Sequence, residues 1–218
     1  ACMCQDEYYL VWDGDTVPLK KVNLFEDRHP VFHMKKEFYK SYFITMSRIL
    51  PKINKQTKQS FISEHMLINC EIMKELICAI ENNDQIMGQT FYEKVINAID
   101  IDDIKKSGFS EFETYGNYCI TQYPNLYMLR KWKSLRYGSK YFDENLFGKS
   151  EEKWLEPVYD AISFEKKTNK IYGYQLLHKN VIHRLMIFPV AKGIVNLYNI
   201  FVRGMHKCSN VFLKNRER

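Results

Sequence analysis

Tyr8-Tyr9-Leu10-Val11-Trp12-Asp13-Gly14-Asp15-Thr16 is the stretch that decides the fold. Apolar residues run without a polar break and stop at small acidic ones. A run this short and continuous predicts a buried parallel strand with a functional loop at its C-terminal end. Ligands of α/β sheets bind outside the carboxyl ends of strands, so two carboxylates one residue apart at that point form a candidate site. Asp13 and Asp15 offer the hard oxygen ligands that a divalent cation takes, and a cation there bridges to phosphates. The same residues also suit a plain turn built from Asp and Gly. Two reaction classes use such a pair. One is metal-dependent glycosyl transfer from a sugar nucleotide, with Mn2+ or Mg2+ on the diphosphate. The other is aspartyl-phosphate chemistry, with Asp13 as nucleophile and Asp15 as general acid. That second class needs a further acidic pair, for which Asp102-Asp103 is the candidate.

Outward from this stretch, Met66, Ile68, Ile72, Met73, Leu76, Ile77 and Ile80 recur at helical spacing and predict a helix over 63–81. Thr90 and Glu93 frame a capping box, and Ser110 and Glu113 frame another that opens a helix to about Thr121. Ser150, before Glu151 and Glu152, marks a third helix start, and 171–177 reads as a strand. The pattern is mixed α and β with helix in excess. It divides into one domain over 1–178 and a basic amphipathic helical tail over 179–218.

The chain has 218 residues, 45% hydrophobic and 27% charged, which excludes a disordered, collagen-like or disulfide-stapled protein. Its net charge of +6 is uneven: 179–218 holds eight Lys/Arg against Glu217 alone, a net of +7, and the remainder carries −1. A globally basic nucleic-acid binder is therefore disfavoured. Six cysteines without a C-x-x-C pair read as reduced thiols, and the expected localisation is cytoplasmic. In the tail, Val190, Ile194, Leu197 and Phe201 line one helical face opposite Lys192, Asn196, Asn199 and Arg203. Such a helix packs either on its own domain or peripherally on the inner face of an anionic membrane.

Three stretches in order carry a resemblance: 12–19 (WDGDTVPL), 60–68 (SFISEHMLI) and 107–116 (SGFSEFETYG). They look like a little-characterised bacterial family of GT-A glycosyltransferase-like proteins, similar to enzymes of surface polysaccharide synthesis. The resemblance covers roughly residues 8–165. It implies an α/β, GT-A-like domain with Asp13 and Asp15 as the Mn2+ or Mg2+ site. It also implies a nucleotide-sugar donor and a carbohydrate or lipid-linked acceptor. Some GT-A enzymes add a distal His to the metal, which makes His65 the third candidate ligand. A GT-A fold carries several β-α units before this pair, whereas twelve residues precede Asp13 here. The expectation is a domain lacking those units. Either the chain is a fragment, or the nucleotide half is absent and the protein is a non-catalytic carbohydrate-binding or assembly subunit.

Arg130, Lys131, Lys133, Arg136 and Lys140 alternate with Tyr127, Trp132, Tyr137 and Tyr141. Arg130 and Arg136 are candidates to clamp the donor diphosphate, a reading preferred over a grip on nucleic acid because the domain is nearly neutral. If Glu113 is engaged in the capping box, Glu111 is left to act as the base toward the acceptor hydroxyl. Phe109 and Phe112 are expected to desolvate it, and Tyr115 and Tyr118 to stack on sugar rings.

Overall fold

The computed structural model describes residues 3–165 apart from 143 and 146, and residues 190, 193–194, 196–198, 200–202 and 204–205 of the tail. The strands are β1 (Tyr8–Trp12), β2 (Thr16–Pro18), β3 (Phe25–Glu26), β4 (His29–Met34), β5 (His65–Asn69), β6 (Met128–Lys131), β7 (Ser134–Leu135) and β8 (Ala161–Ser163). The helices are α1 (Lys40–Ile49), α2 (Cys70–Glu81), α3 (Phe91–Ala98), α4 (Glu111–Gln122) and α5 (Lys149–Leu155). The fold is mixed α/β with small sheets. It forms two compact units, one of residues 1–13 and 23–132 and one of residues 14–22 and 133–218. The boundary expected at 178 and the strand expected over 171–177 lie outside the described residues.

In the first unit β1 pairs antiparallel with β5, from Tyr8 opposite Asn69 to Trp12 opposite His65. This corrects the expected buried parallel strand: β1 is half-buried and Leu10 is exposed, while all five residues of β5 are buried. β4 and β6 run parallel, Val31 opposite Met128 through Met34 opposite Lys131. β3 and β4 form a hairpin whose turn residues Asp27 and Arg28 both have positive φ, 46° and 68°. That combination matches the twist of two-residue hairpin loops.

The helix expected over 63–81 starts late. His65-Met66-Leu67-Ile68 is continuously apolar or uncharged and becomes β5. Asn69 then caps α2, its side chain accepting the Glu71 and Ile72 N–H groups at 3.0 and 3.2 Å. The other starts lie close to expectation. Glu93 accepts the Thr90 N–H at 3.0 Å, and Ser110 Oγ accepts the Glu113 N–H at 3.2 Å. α5 begins from Gly148 rather than Ser150, with the Glu151 carboxylate closing on the Gly148 N–H.

Phe32, Met46, Ile49, Phe61, Ile80 and Tyr115 centre the first core. Tyr115 and Tyr118 belong to that core and not to a sugar-facing surface. Tyr115 Oη accepts the Asn69 N–H at 2.9 Å and shares a 2.8 Å bond with Tyr127 Oη, which satisfies both buried hydroxyls. The second unit has β8 between antiparallel β2 and parallel β7. Its core gathers Leu135, Phe142, Leu155, Ile162 and Phe164.

Gly116, inside α4, faces the fully buried Phe61 ring, and a Cβ there would run into it. Alanine gains about 1 kcal/mol of helix propensity, but overpacking costs about 1–3 kcal/mol. Gly116→Ala is expected to lose up to about 2 kcal/mol in urea unfolding. Gly14→Ala, with open space around it, is expected to stay within about 0.5 kcal/mol.

Candidate functional site

The C-terminal ends of β1, β4 and β6 and the N-terminal end of β5 share one edge of the first unit. β1 and β5 bring Trp12 opposite His65. β4 and β6 run together past Met34, whose carbonyl accepts the Trp132 N–H at 2.8 Å. Trp12, His33, Lys35, Glu64, His65 and Trp132 meet there.

Glu64 organises this edge. It is 5% exposed and has φ 64°, the left-handed region that a non-glycine residue enters at a cost. One carboxylate oxygen pairs with the Lys35 ammonium and the other accepts the Trp132 indole N–H at 3.0 Å. Lys35 also lies 3.9 Å from the Glu37 carboxylate. A buried charge needs such partners, and Glu64 has a full set. Its backbone carbonyl accepts the Asp13 N–H at 2.8 Å.

Four rings pack beside this pair. Trp12 stacks on His65 with centroids 4.8 Å apart, and Trp132 meets His65 edge-on at 4.5 Å. His33 lies 4.8 Å from His65 and 4.9 Å from Trp132. His65 Nδ1 is 3.0 Å from the Ser63 carbonyl, which can only accept, so Nδ1 carries hydrogen. Burial first, then His33 and Lys35, push the His65 pKa down to about 4. Its neutral Nε2 therefore accepts from His33 Nδ1 at 2.9 Å.

The edge continues to α4. Lys35 and Ser60 exchange backbone bonds at 3.0 and 2.8 Å. The Glu113 carboxylate is bonded by the Ser60 hydroxyl and the Phe61 N–H, and by Asn117 Nδ2 at 3.2 Å. Burial nevertheless raises its pKa. The stretches around Asp13, Ser60–His65 and Ser110–Gly116 are thus joined by one chain of contacts.

The candidate residues fall as follows. Asp13 and Asp15 are exposed, and the division between the two units falls between Asp13 and Gly14. Within the second unit, Asp15 lines a cavity of about 560 Å³ with Glu144, Phe147, Glu152 and Phe164. His65 sits on a strand, not at a helix start, and both its ring nitrogens are engaged inside the cluster. It orients His33 in this arrangement and offers no lone pair to a cation. Among the described residues no group of three or more His, Cys, Asp or Glu side chains could hold a metal.

Glu111 is exposed at the first position of α4, so its aromatic neighbours do not bury it; Phe112 turns into the core. Glu113 is engaged as expected, but by Ser60, Phe61 and Asn117 rather than by a capping box. Arg130 and Arg136 lie in different units, and each holds a carboxylate: Arg130 grips Glu26 with two nitrogens, and Arg136 Nε donates to Glu165 at 2.6 Å. Asp102 is exposed on a short 3-10 turn.

The sequence reading missed Lys35, Glu64 and His33 as site residues. The available signal was a Glu beside a His inside a run destined for the core. No protein-family model, curated protein or solved structure matches the chain.

A buried neutral histidine makes stability depend on pH. Between pH 6.5 and about 4 the unfolded chain holds a proton that folded His65 does not, so stability is full above pH 6.5 and falls as pH drops. In urea unfolding with a chelator present, wild type is expected to lose about 2 kcal/mol more than His65→Gln between pH 7.5 and pH 5. Glu113 tilts both curves the other way and cancels in the difference. Equal losses would mean that His65 is not held neutral among His33, Lys35 and Glu64.

Proposed function

We propose that the chain is a metal-dependent glycosyltransferase domain of GT-A type, moving a sugar from a nucleotide-sugar donor to a carbohydrate or lipid-linked acceptor. The observation that carries this reading is that Asp13, the segment 60–65 and the start of α4 are joined by one chain of contacts. There Asp13 is tied to a strained, ion-paired Glu64. Strained backbone and buried charge at a strand end are what functional sites accumulate.

Asp13 and Asp15 supply exposed carboxylates one residue apart in the chain. The pair is proposed as the Mn2+ or Mg2+ site on its residue types and spacing in the chain, for a cation that arrives with its diphosphate. A cation bound there supplies charge neutralisation to the leaving diphosphate. The half-buried Trp12 ring offers a flat apolar face of the kind a sugar packs against. Glu111, whose carboxylate has no hydrogen bond or ion pair among the described residues, is the proposed base toward the attacking hydroxyl on its exposure at the start of α4. Arg130 and Arg136, the residues proposed for the diphosphate, are each already paired with a carboxylate, Glu26 and Glu165. That occupation favours the second reading, a non-catalytic carbohydrate-binding subunit.

Calorimetry with uridine and guanosine diphosphate sugars tests the donor site. Binding is expected to need Mn2+ or Mg2+ and to weaken about 10- to 100-fold in Asp15→Asn, the scale of a lost bond to a charged group. Metal-independent binding that ignores the substitution would sink the reading. Turnover separates the transferase from the binding subunit. Glu111→Gln is expected to keep fold and donor binding and lose about two orders of magnitude in rate. Glu113→Gln, which disturbs a buried network, is expected to lose about 1–3 kcal/mol of stability instead. Equal losses in rate that track melting temperature would make both residues structural.

A further inference from the structure

The described tail residues 190, 193–194, 196–198, 200–202 and 204–205 are helical. Two of these residues are held within the second unit. Asn196 Oδ1 accepts from Lys140 Nζ at 2.8 Å and from Tyr141 Oη at 3.3 Å, and Val202 is buried. Val190, Ile194, Leu197, Tyr198, Phe201 and Met205 follow one another at spacings of four, three, one, three and four, which puts them on one face. Every one is exposed, from 44% at Ile194 to 69% at Leu197. Asn196 and Val202 thus meet the second unit, while the apolar stripe stays exposed.

We propose that this stripe docks on an anionic membrane surface, with the helix lying in the plane of the interface. Charge selects the occupant. The stretch 179–218 carries a net of +7 on a chain whose remainder is −1, so anionic headgroups attract it and a second copy of the same tail repels it. Geometry selects the depth: no helix among the described residues is long and apolar enough to cross a membrane. An exposed apolar face with Tyr198 and Phe201 on it, in a stretch whose sequence is rich in Lys and Arg, has the character of an interfacial helix. The inference stands whether or not the domain transfers sugar.

The test is co-sedimentation of the full chain with phosphatidylcholine vesicles, with and without phosphatidylserine, compared with Leu197→Gln/Phe201→Gln. Both positions are exposed, so the double variant is expected to keep the wild-type melting temperature. The chain is expected to partition onto the phosphatidylserine vesicles at least tenfold better than onto the neutral ones. About 1 M salt, where charges are screened beyond ~3 Å, is expected to reduce that partition, and the double variant to reduce it at least tenfold. No partition onto anionic vesicles, or equal partition by the double variant, overturns the proposal. So does self-association in sedimentation equilibrium that the double variant abolishes, because the stripe is then a contact between copies.

Discussion

A carboxylate buried at the edge of a sheet sets the terms for everything around it. Glu64 is 5% exposed and ionised carboxylates do not enter protein interiors without compensation. The Lys35 ammonium and the Trp132 indole supply it, one to each oxygen. Lys35 follows the last residue of β4 and Trp132 follows the last residue of β6. Their pairing with Glu64 therefore fixes where two parallel strands end relative to the start of β5. The left-handed backbone at Glu64 costs of order 1–3 kcal/mol, and it persists because side chain and carbonyl are both held. The carbonyl holds the Asp13 N–H, so the position of the first aspartate follows from the burial of a glutamate 51 residues later.

Proton accounting extends the same constraint. Once Ser63 fixes the His65 tautomer, the hydrogen between the two rings has its place on His33. His65 gives one to a carbonyl and receives one from His33. A second proton on His65 would add a buried charge near His33 and the Lys35 ammonium. The rings of Trp12 and Trp132 pack against His65 and bury it. His65 thus holds the orientation of His33 and stacks on Trp12.

The sequence made the helix starts legible because caps are local. Ser110 and Glu93 act within three or four residues of the backbone groups they bond. It misplaced 65–69 because a continuous apolar run satisfies strand and helix alike, and the decision fell to Asn69, whose capping role was not read. It placed the aspartate pair at a strand end correctly but mistook the pairing of that strand, since an apolar run does not say on which side its partner lies. Lys35 was out of reach for a different reason. An exposed lysine and one committed to a buried glutamate 29 positions away look the same until the chain is folded.

The two glutamates of α4 show how far a motif alone can be trusted. Glu111 and Glu113 are the same residue type, two positions apart, inside one recognisable stretch. Two steps along an α-helix turn about 200°, so the pair cannot serve one surface. The buried phase belongs to Glu113, because Phe112 and Tyr115 enter the core and carry Glu113 with them toward Ser60 and Phe61. Glu111 is left facing solvent by the same rotation. Its availability is thus a consequence of the core, not of its immediate neighbours. Shifting the helix by one residue would bury Glu111 and break the network that joins α4, through Ser60 and Lys35, to the edge at Glu64.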